Sequence, residues 1–173
     1  GAGAILVGND GLDDIAATQV VDAVVDLAAI TGNIGGDARG IFPLFKGANT
    51  LGARDMGARP GENGLGVTEI ISGMRDTNIK AALVMADGLS GHSTLLDGLT
   101  SGLKQLEFLA VSAVFDSEIT AHADVVLPAA TYAEQTSTVT NLERRVQLLR
   151  ITAESREEVR TGWETICLIA DAM

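Results

Sequence analysis

The chain predicts an α/β fold of the Rossmann-like kind, a mostly parallel sheet with helices on both faces. Two observations predict it. Short runs of aliphatic and β-branched residues alternate with segments whose apolar positions recur at helical spacing, and parallel strands need helical crossovers that cover both faces of their sheet. Small residues are abundant while aromatics make up only 3% of the chain, so helices can lie close on a sheet.

The elements follow in order. Ala4-Ile5-Leu6-Val7-Gly8 predicts a short buried strand. Asn9-Asp10-Gly11 is a turn, and Asp13 and Asp14 supply the negative charge that complements a helix N-terminus. A helix over 13–31 follows, with Asp14, Thr18, Asp22 and Asp26 on one wet face and Ala17, Val21, Val24 and Ala28 on another. Gly32 and Gly35-Gly36 stop it. Residues 33–66 are rich in glycine, carry two of the three prolines and show little periodicity. They are expected to be a long Gly-rich loop segment, functional or clamped over a neighbour.

The alternation then resumes with a helix near 67–76, a strand at 81–86, a helix near 93–105 and a strand at 108–114. A short helix at 117–122 precedes the strand 124–127, which Pro128 ends, and a polar loop over 130–141 leads to the basic and apolar stretch 144–149. The final helix, 162–172, places Trp163, Ile166, Cys167 and Ala170 at helical spacing, read as its buried face. The strands near 4–8, 81–86, 108–114 and 124–127 are expected to be neighbours in a single domain spanning 1–173. Right-handed crossovers put their C-terminal ends on one edge, where ligands of such sheets bind. The abrupt start at Gly1-Ala2-Gly3 reads as part of a longer protein.

Composition narrows the function classes. With 12 Lys and Arg against 23 Asp and Glu the net charge is −11, which disfavours nucleic acid and anionic membrane as partners. The single cysteine, Cys167, excludes an intrachain disulfide, a zinc site of thiolates and a cluster held by four cysteines of this chain. Set among Ile166, Leu168 and Ile169, it reads as a buried structural thiol. No apolar run reaches about 18 residues and no signal-peptide pattern opens the chain, so the expected location is cytoplasmic, without direct membrane insertion.

Phosphate signatures fail: there is no P-loop, and Gly32-Asn33-Ile34-Gly35-Gly36 follows a helix rather than a strand. Asp87-Gly88-Leu89-Ser90-Gly91 does follow a strand and precede a helix. It is either a tight turn or a loop that receives a nucleotide's sugar or phosphate on backbone N–H groups. His92 and His122 lack a second ligand at metal spacing and read as solvated or capping. Asp124, Glu134 and Glu143 could serve acid–base chemistry only as a positioned pair.

The most specific signal lies at 115–147. Phe115, Ser117-Glu118-Ile119-Thr120, Ala123-Asp124-Val125-Val126-Leu127-Pro128, Glu134, Ser137-Thr138, Asn141 and Glu143-Arg144-Arg145-Val146-Gln147 follow one another in order. This succession resembles the molybdopterin-dinucleotide oxidoreductase family. Upstream, Leu27 to Gly35, containing Thr31-Gly32-Asn33-Ile34-Gly35, and Gly47-Ala48-Asn49-Thr50-Leu51-Gly52-Ala53-Arg54-Asp55-Met56-Gly57 resemble two further segments of that family, as does Trp163-Glu164 downstream. The matches span about residues 5–170. The chain departs from the family's cofactor-bearing members where Ala86 to Gly91 replaces a Gly-Glu-Asn-Pro loop and Ser137 replaces a glycine, and the cluster-binding cysteines and the metal-ligating cysteine or selenocysteine are absent from this stretch.

The resemblance therefore implies first a scaffold domain like that of the large peripheral subunit of respiratory NADH–quinone oxidoreductase, supporting electron transfer from NADH to quinone by clusters elsewhere. The alternative is a domain of a formate dehydrogenase-type enzyme contributing to a molybdopterin guanine dinucleotide pocket, and a third is a binding module without a redox role. It implies no catalytic residue, no metal ligand and no activity in the isolated chain. The cofactor-binding candidates are Asp87, Gly88, Ser117, Glu118, Glu134, Thr138 and Asn141. Cofactors are expected only in a longer parent, as molybdopterin guanine dinucleotide and iron–sulfur clusters. The expected partners are the remainder of the same polypeptide and other subunits of a respiratory or dehydrogenase complex, which would hold it peripherally at the inner membrane. Asn141 and Glu143 are expected to fix their loop through side-chain to backbone hydrogen bonds, with Arg144 or Arg145 paired to an acidic neighbour.

Overall fold

The structure, a computed structural model, describes residues 2–8, 14–45, 47–61, 64–86 and 94–173. The chain, read from its sequence as one domain, divides into two compact units: Gly1–Met56 with Val139–Gln147, and Gly57–Thr138 with Leu148–Met173.

In the first unit, β1 (Ala4–Gly8) pairs in parallel with β2 (Gly40–Leu44), Ile5 opposite Ile41 and Val7 opposite Pro43. The crossover is α1 (Asp14–Ile30). Gly32 ends α1 at φ +67°: its N–H donates to Ala29 O and that of Asn33 to Ala28 O, the two bonds of a Schellman stop. The Asn33 side chain then accepts from Gly3 N–H at 2.8 Å, tying the helix end to the start of β1. Helix α2 (Thr50–Asp55) follows β2. Gly52 is required there, because a Cβ would strike the Asn49 side chain, whose Oδ1 accepts Thr140 N–H at 2.9 Å. Among the described residues, Ala28 is the one fully buried hydrophobic side chain of this unit.

Two expectations change here. The stretch 33–66, expected as loop, contains β2 and α2. The strand at 4–8 pairs with β2 rather than joining the other three predicted strands.

The second unit holds those three, β3 (Ala81–Met85), β4 (Phe108–Ala113) and β5 (Val125–Pro128), all parallel in the order β3-β4-β5. Alternation along β4 sends Leu109, Val111 and Ala113 to one face, against Ile71 and Met74 of α3 (Val67–Arg75) and Leu103 of α4 (Thr94–Leu103). Gly102 lets α4 approach closely, since a Cβ would sit 3.2 Å from Met74. On the opposite face, α5 (Gly162–Ala172) brings Gly162 against Met85. Helices thus cover both faces of this sheet, as predicted. Asp124 opens β5 by accepting Leu109 N–H at 2.7 Å on its side chain while its own N–H donates to Leu109 O.

After β5 the expected polar loop carries β6 (Ser137–Thr140), which pairs with β7 (Val146–Leu149). The final helix corrects another expectation. Thr165 is its buried residue, whereas Trp163 is 63% exposed, Ile166 52% exposed, and Cys167 and Ala170 are exposed. The lone thiol is therefore a surface group. Small side chains at 162 and 165 allow the close approach that Trp163 would block.

Candidate functional site

The C-terminal edge of β3-β4-β5 is where a parallel sheet of this kind presents its loops. At the end of β3, Ala86 N–H donates to Ser112 O, and the predicted site residues Asp87 and Gly88, with the rest of their loop to His92, lie outside the described residues. The predicted turn at Asn9-Asp10-Gly11 and Asp13 do too.

At the end of β4, Ser117 and Thr120 lock the turn that leads into the short 3-10 segment Thr120–His122. Ser117 N–H donates to Thr120 Oγ1 at 2.8 Å, and that hydroxyl donates to Ser117 O at 2.9 Å. Glu118 is exposed while Ile119 beside it enters the core.

At the end of β5 the chain is held by a parallel bridge between Ala129 and Arg160, with Ala130 N–H donating to Arg160 O and Arg160 N–H to Pro128 O. Two Thr-x-x-Glu turns meet at this edge. In the first, Glu134 Oε2 accepts Thr131 N–H at 2.9 Å. In the second, Thr161 caps α5: its N–H and its hydroxyl both donate to Glu164 Oε2, at 2.9 and 2.8 Å, and its Oγ1 accepts Glu164 N–H. Each carboxyl is held below its ordinary pKa first by the N–H of the threonine three residues earlier, then by that threonine's side chain, with Arg156 helping Glu134 and Arg160 helping Glu164 against the opposing effect of burial. A cleft of about 390 Å³ opens between them, lined by Glu134, Thr136, Arg160, Thr161, Trp163 and Glu164 among others. Arg160 itself donates to the carbonyls of Glu157 and Val159.

The structure thus places Glu134 on the cleft wall, Ser117 in the turn after β4, and Thr138 exposed on β6. Asn141 belongs to the first unit and closes the β6–β7 turn. Its Oδ1 accepts Arg145 N–H at 3.0 Å and its N–H donates to Arg145 O. Arg144, at φ +64°, reaches both carboxylate oxygens of Asp55 at 3.0 and 3.2 Å, and Arg145 pairs with Glu143 at 3.4 Å. The loop-fixing role expected of Asn141 is present, and so is the acidic partner of Arg144, whereas the Glu143 carboxylate, expected to bond backbone, is paired with the Arg145 side chain. Together with Thr140 and Leu142, Asn141 lines a second cleft of about 270 Å³ with Leu44, Phe45, Thr50 and Leu51. Among the described residues no three His, Cys, Asp or Glu side chains cluster as metal ligands, and no helix is long and apolar enough to cross a membrane. The reading from sequence missed Thr161, Glu164 and Arg160. The first two carry a visible signal, a Thr-x-x-Glu box ahead of an apolar run.

The family model described as molybdopterin oxidoreductase matches residues 2–172. The chain belongs to the molybdopterin oxidoreductase family. Among curated relatives, it is 34% identical over 180 residues to the F420-dependent formate dehydrogenase subunit alpha of Methanocaldococcus jannaschii, covering 90% of this chain and 27% of that protein. It is 28% identical to the assimilatory nitrate reductase catalytic subunit of Bacillus subtilis, over 90% of this chain and 26% of the relative. The NADPH-Fe(3+) oxidoreductase subunit alpha of Geobacter sulfurreducens is 28% identical, over 86% of this chain and 20% of its own length. The chain spans only about a fifth to a quarter of the molybdopterin oxidoreductases it matches.

Proposed function

We propose that this chain is a domain of a formate dehydrogenase-type molybdopterin oxidoreductase subunit, and that the sheet edge of its second unit receives the nucleotide end of a molybdopterin guanine dinucleotide. The observation that carries this reading is the cleft at the C-terminal edge of β5, in a chain that matches the family over 2–172. The relatives named above support a formate dehydrogenase-type parent at least as well as the respiratory NADH–quinone scaffold to which the sequence inclines. The replaced Gly-Glu-Asn-Pro loop at 86–91 still favours the scaffold as the second reading.

The donor and acceptor set fits a guanine nucleotide. Guanine offers two adjacent donors, N1–H and the 2-amino group, and a carboxylate held ionised is the acceptor that matches them. Glu134 is such a carboxylate on the cleft wall. Hydroxyls at Ser117 and Thr138 would serve the sugar and phosphates, with Asp87 and Gly88 as the loop residues proposed alongside them. Asn141 is left to hold its own turn. When bound, the cofactor supplies the redox chemistry, and the residues of this chain bind and orient its nucleotide.

Guanosine diphosphate is the probe. Titrated into the protein and followed by the fluorescence of Trp163, the chain's one tryptophan, on the cleft wall, it should bind at least about tenfold more weakly to Glu134→Gln, a difference of about 1.4 kcal/mol. The glutamine carbonyl can still accept Thr131 N–H, so the melting temperature should stay near that of the parent. Failure of the parent to bind, or equal binding by both proteins, refutes the nucleotide site and leaves the scaffold reading.

A further inference from the structure

Aromatic side chains are scarce in this chain, with four Phe, one Tyr and one Trp in 173 residues. Two of them sit inside the paired turns at the C-terminal edge of β5. The first turn reads Thr131-Tyr132-Ala133-Glu134 and the second Thr161-Gly162-Trp163-Glu164. Each threonine–glutamate bond thus brackets one aromatic residue, and both rings are exposed, Tyr132 by 82% and Trp163 by 63%. Tryptophan is highly buried on average, and its indole is enriched where a surface meets a partner. The two rings differ in one respect. Trp163 lines the cleft with Glu134, Thr136 and Arg160, whereas Tyr132 does not line it. The two carboxylates differ as well. Glu164 Oε2 takes both the N–H and the hydroxyl of Thr161 and is spent on capping α5. Glu134 Oε2 takes Thr131 N–H, and a carboxylate has about four lone-pair sites, so Glu134 keeps acceptor capacity on the cleft wall. One cleft therefore offers a flat apolar face and a charged acceptor, the complement of a purine's face and its N–H edge.

We propose that Trp163 is the stacking residue of this cleft: the indole sets how tightly a purine base is held, and Glu134 sets which purine. The inference rests on the nucleotide reading above and divides its binding between two residues with different rules. Stacking is nearly blind to the base, because every base has a π-face. Hydrogen bonding is not. Guanine turns N1–H and its 2-amino group toward a carboxylate, hypoxanthine turns only N1–H, and adenine turns an N1 that is itself an acceptor. The two contributions are therefore separable by variant and by ligand.

Calorimetric titration of guanosine and inosine diphosphates into the protein makes the separation. Trp163→Leu should weaken both nucleotides at least about tenfold and leave their ratio within about twofold of the parent. Trp163→Phe keeps a ring and should stay within about fivefold of the parent, and Tyr132→Leu, off the cleft, should match it. A readout in the unaltered protein stands if the leucine variant melts early: guanosine diphosphate should lower the indole emission, and ribose 5-phosphate at the same concentration should not. Trp163→Leu that binds guanosine diphosphate as tightly as the parent, while Glu134→Gln binds it weakly, overturns the stacking role and keeps the nucleotide site. Equal losses in Trp163→Leu and Tyr132→Leu also overturn it, as does parent binding that leaves the emission unchanged. A parent that binds neither nucleotide overturns the nucleotide reading, and the stacking role with it.

Discussion

Removing the hydroxyl of Thr161 tests whether the capping box holds α5 onto the edge of the second unit. Thr161→Ala deletes the acceptor for Glu164 N–H and the hydroxyl donor to Glu164 Oε2, while the backbone N–H of residue 161 can keep its 2.9 Å bond to that carboxylate. Loss of an N-cap threonine typically costs about 0.5–2 kcal/mol. The additional loss of a charge-assisted bond puts this site in the upper half of that range, at about 1.5 kcal/mol. For a chain of this size each kcal/mol moves the melting temperature by roughly 2–4 °C, so the variant should melt roughly 3–6 °C lower. Thermal melts followed at 222 nm and urea midpoints give two independent readings, with Thr161→Ser as the control that keeps the oxygen. Coincident midpoints for Thr161→Ala and the parent refute the reasoning, as does a serine variant that falls as far as the alanine one.

Other substitutions probe the same ledger elsewhere. Ser112 is completely buried on β4 and its Oγ has no hydrogen-bond partner among the described residues, so Ser112→Ala should be neutral or stabilising by up to about 1 kcal/mol, and a clear loss in the urea midpoint would contradict that. The sequence alone suggests that Asn141→Ala costs more than about 1 kcal/mol through a buried partner. The bond from Arg145 N–H to Asn141 Oδ1 is exposed, so water replaces it and the expected cost is about 0.5–1 kcal/mol, with a loss above about 2 kcal/mol refuting this account. Glu134 and Glu164 titrate lower in the folded chain than their ordinary value of 4.5, so the stability they lend is complete above that pH and drains away as the pH falls toward their folded values. Urea midpoints should therefore drop on acidification below about pH 5 less steeply in Glu164→Gln than in the parent, and parallel profiles would refute it.

The three-stranded sheet and its covering helices were legible because local periodicity and tertiary role agree there: β3, β4, α3 and α4 lie within a residue or two of their predicted positions. The region 33–66 was not legible, for a local reason. Strand β2 contains Gly40 and Pro43, two poor strand residues, and exists through its pairing with β1 more than thirty residues away. Proline is tolerated there because β2 pairs on one side only among the described strands. The candidate site was half legible. Glu134 is legible through a resemblance, and the structure shows what it does locally, whereas Thr161 and Glu164 are visible only in their spacing, beside the apolar stripe of the same helix.

That stripe marks where hydropathy stops being informative. Periodicity identifies which residues of α5 are apolar, but the side that meets the sheet is chosen by how closely the backbones must approach. Gly162 lies against Met85 and Thr165 is buried, while Trp163 and Ile166 stand exposed. The apolar residues left over are then displaced outward, where sequence alone cannot distinguish the interior of one unit from the interior of a larger assembly. The first unit shows the same excess: Ala28 is its one fully buried hydrophobic among the described residues, while Val21, Val25, Leu27 and Ile30 of α1 stand exposed. About 1.5–3 kcal/mol of transfer free energy accompanies full burial of each such side chain. Helices this apolar and this exposed fit a chain that matches about a quarter of its relatives' length.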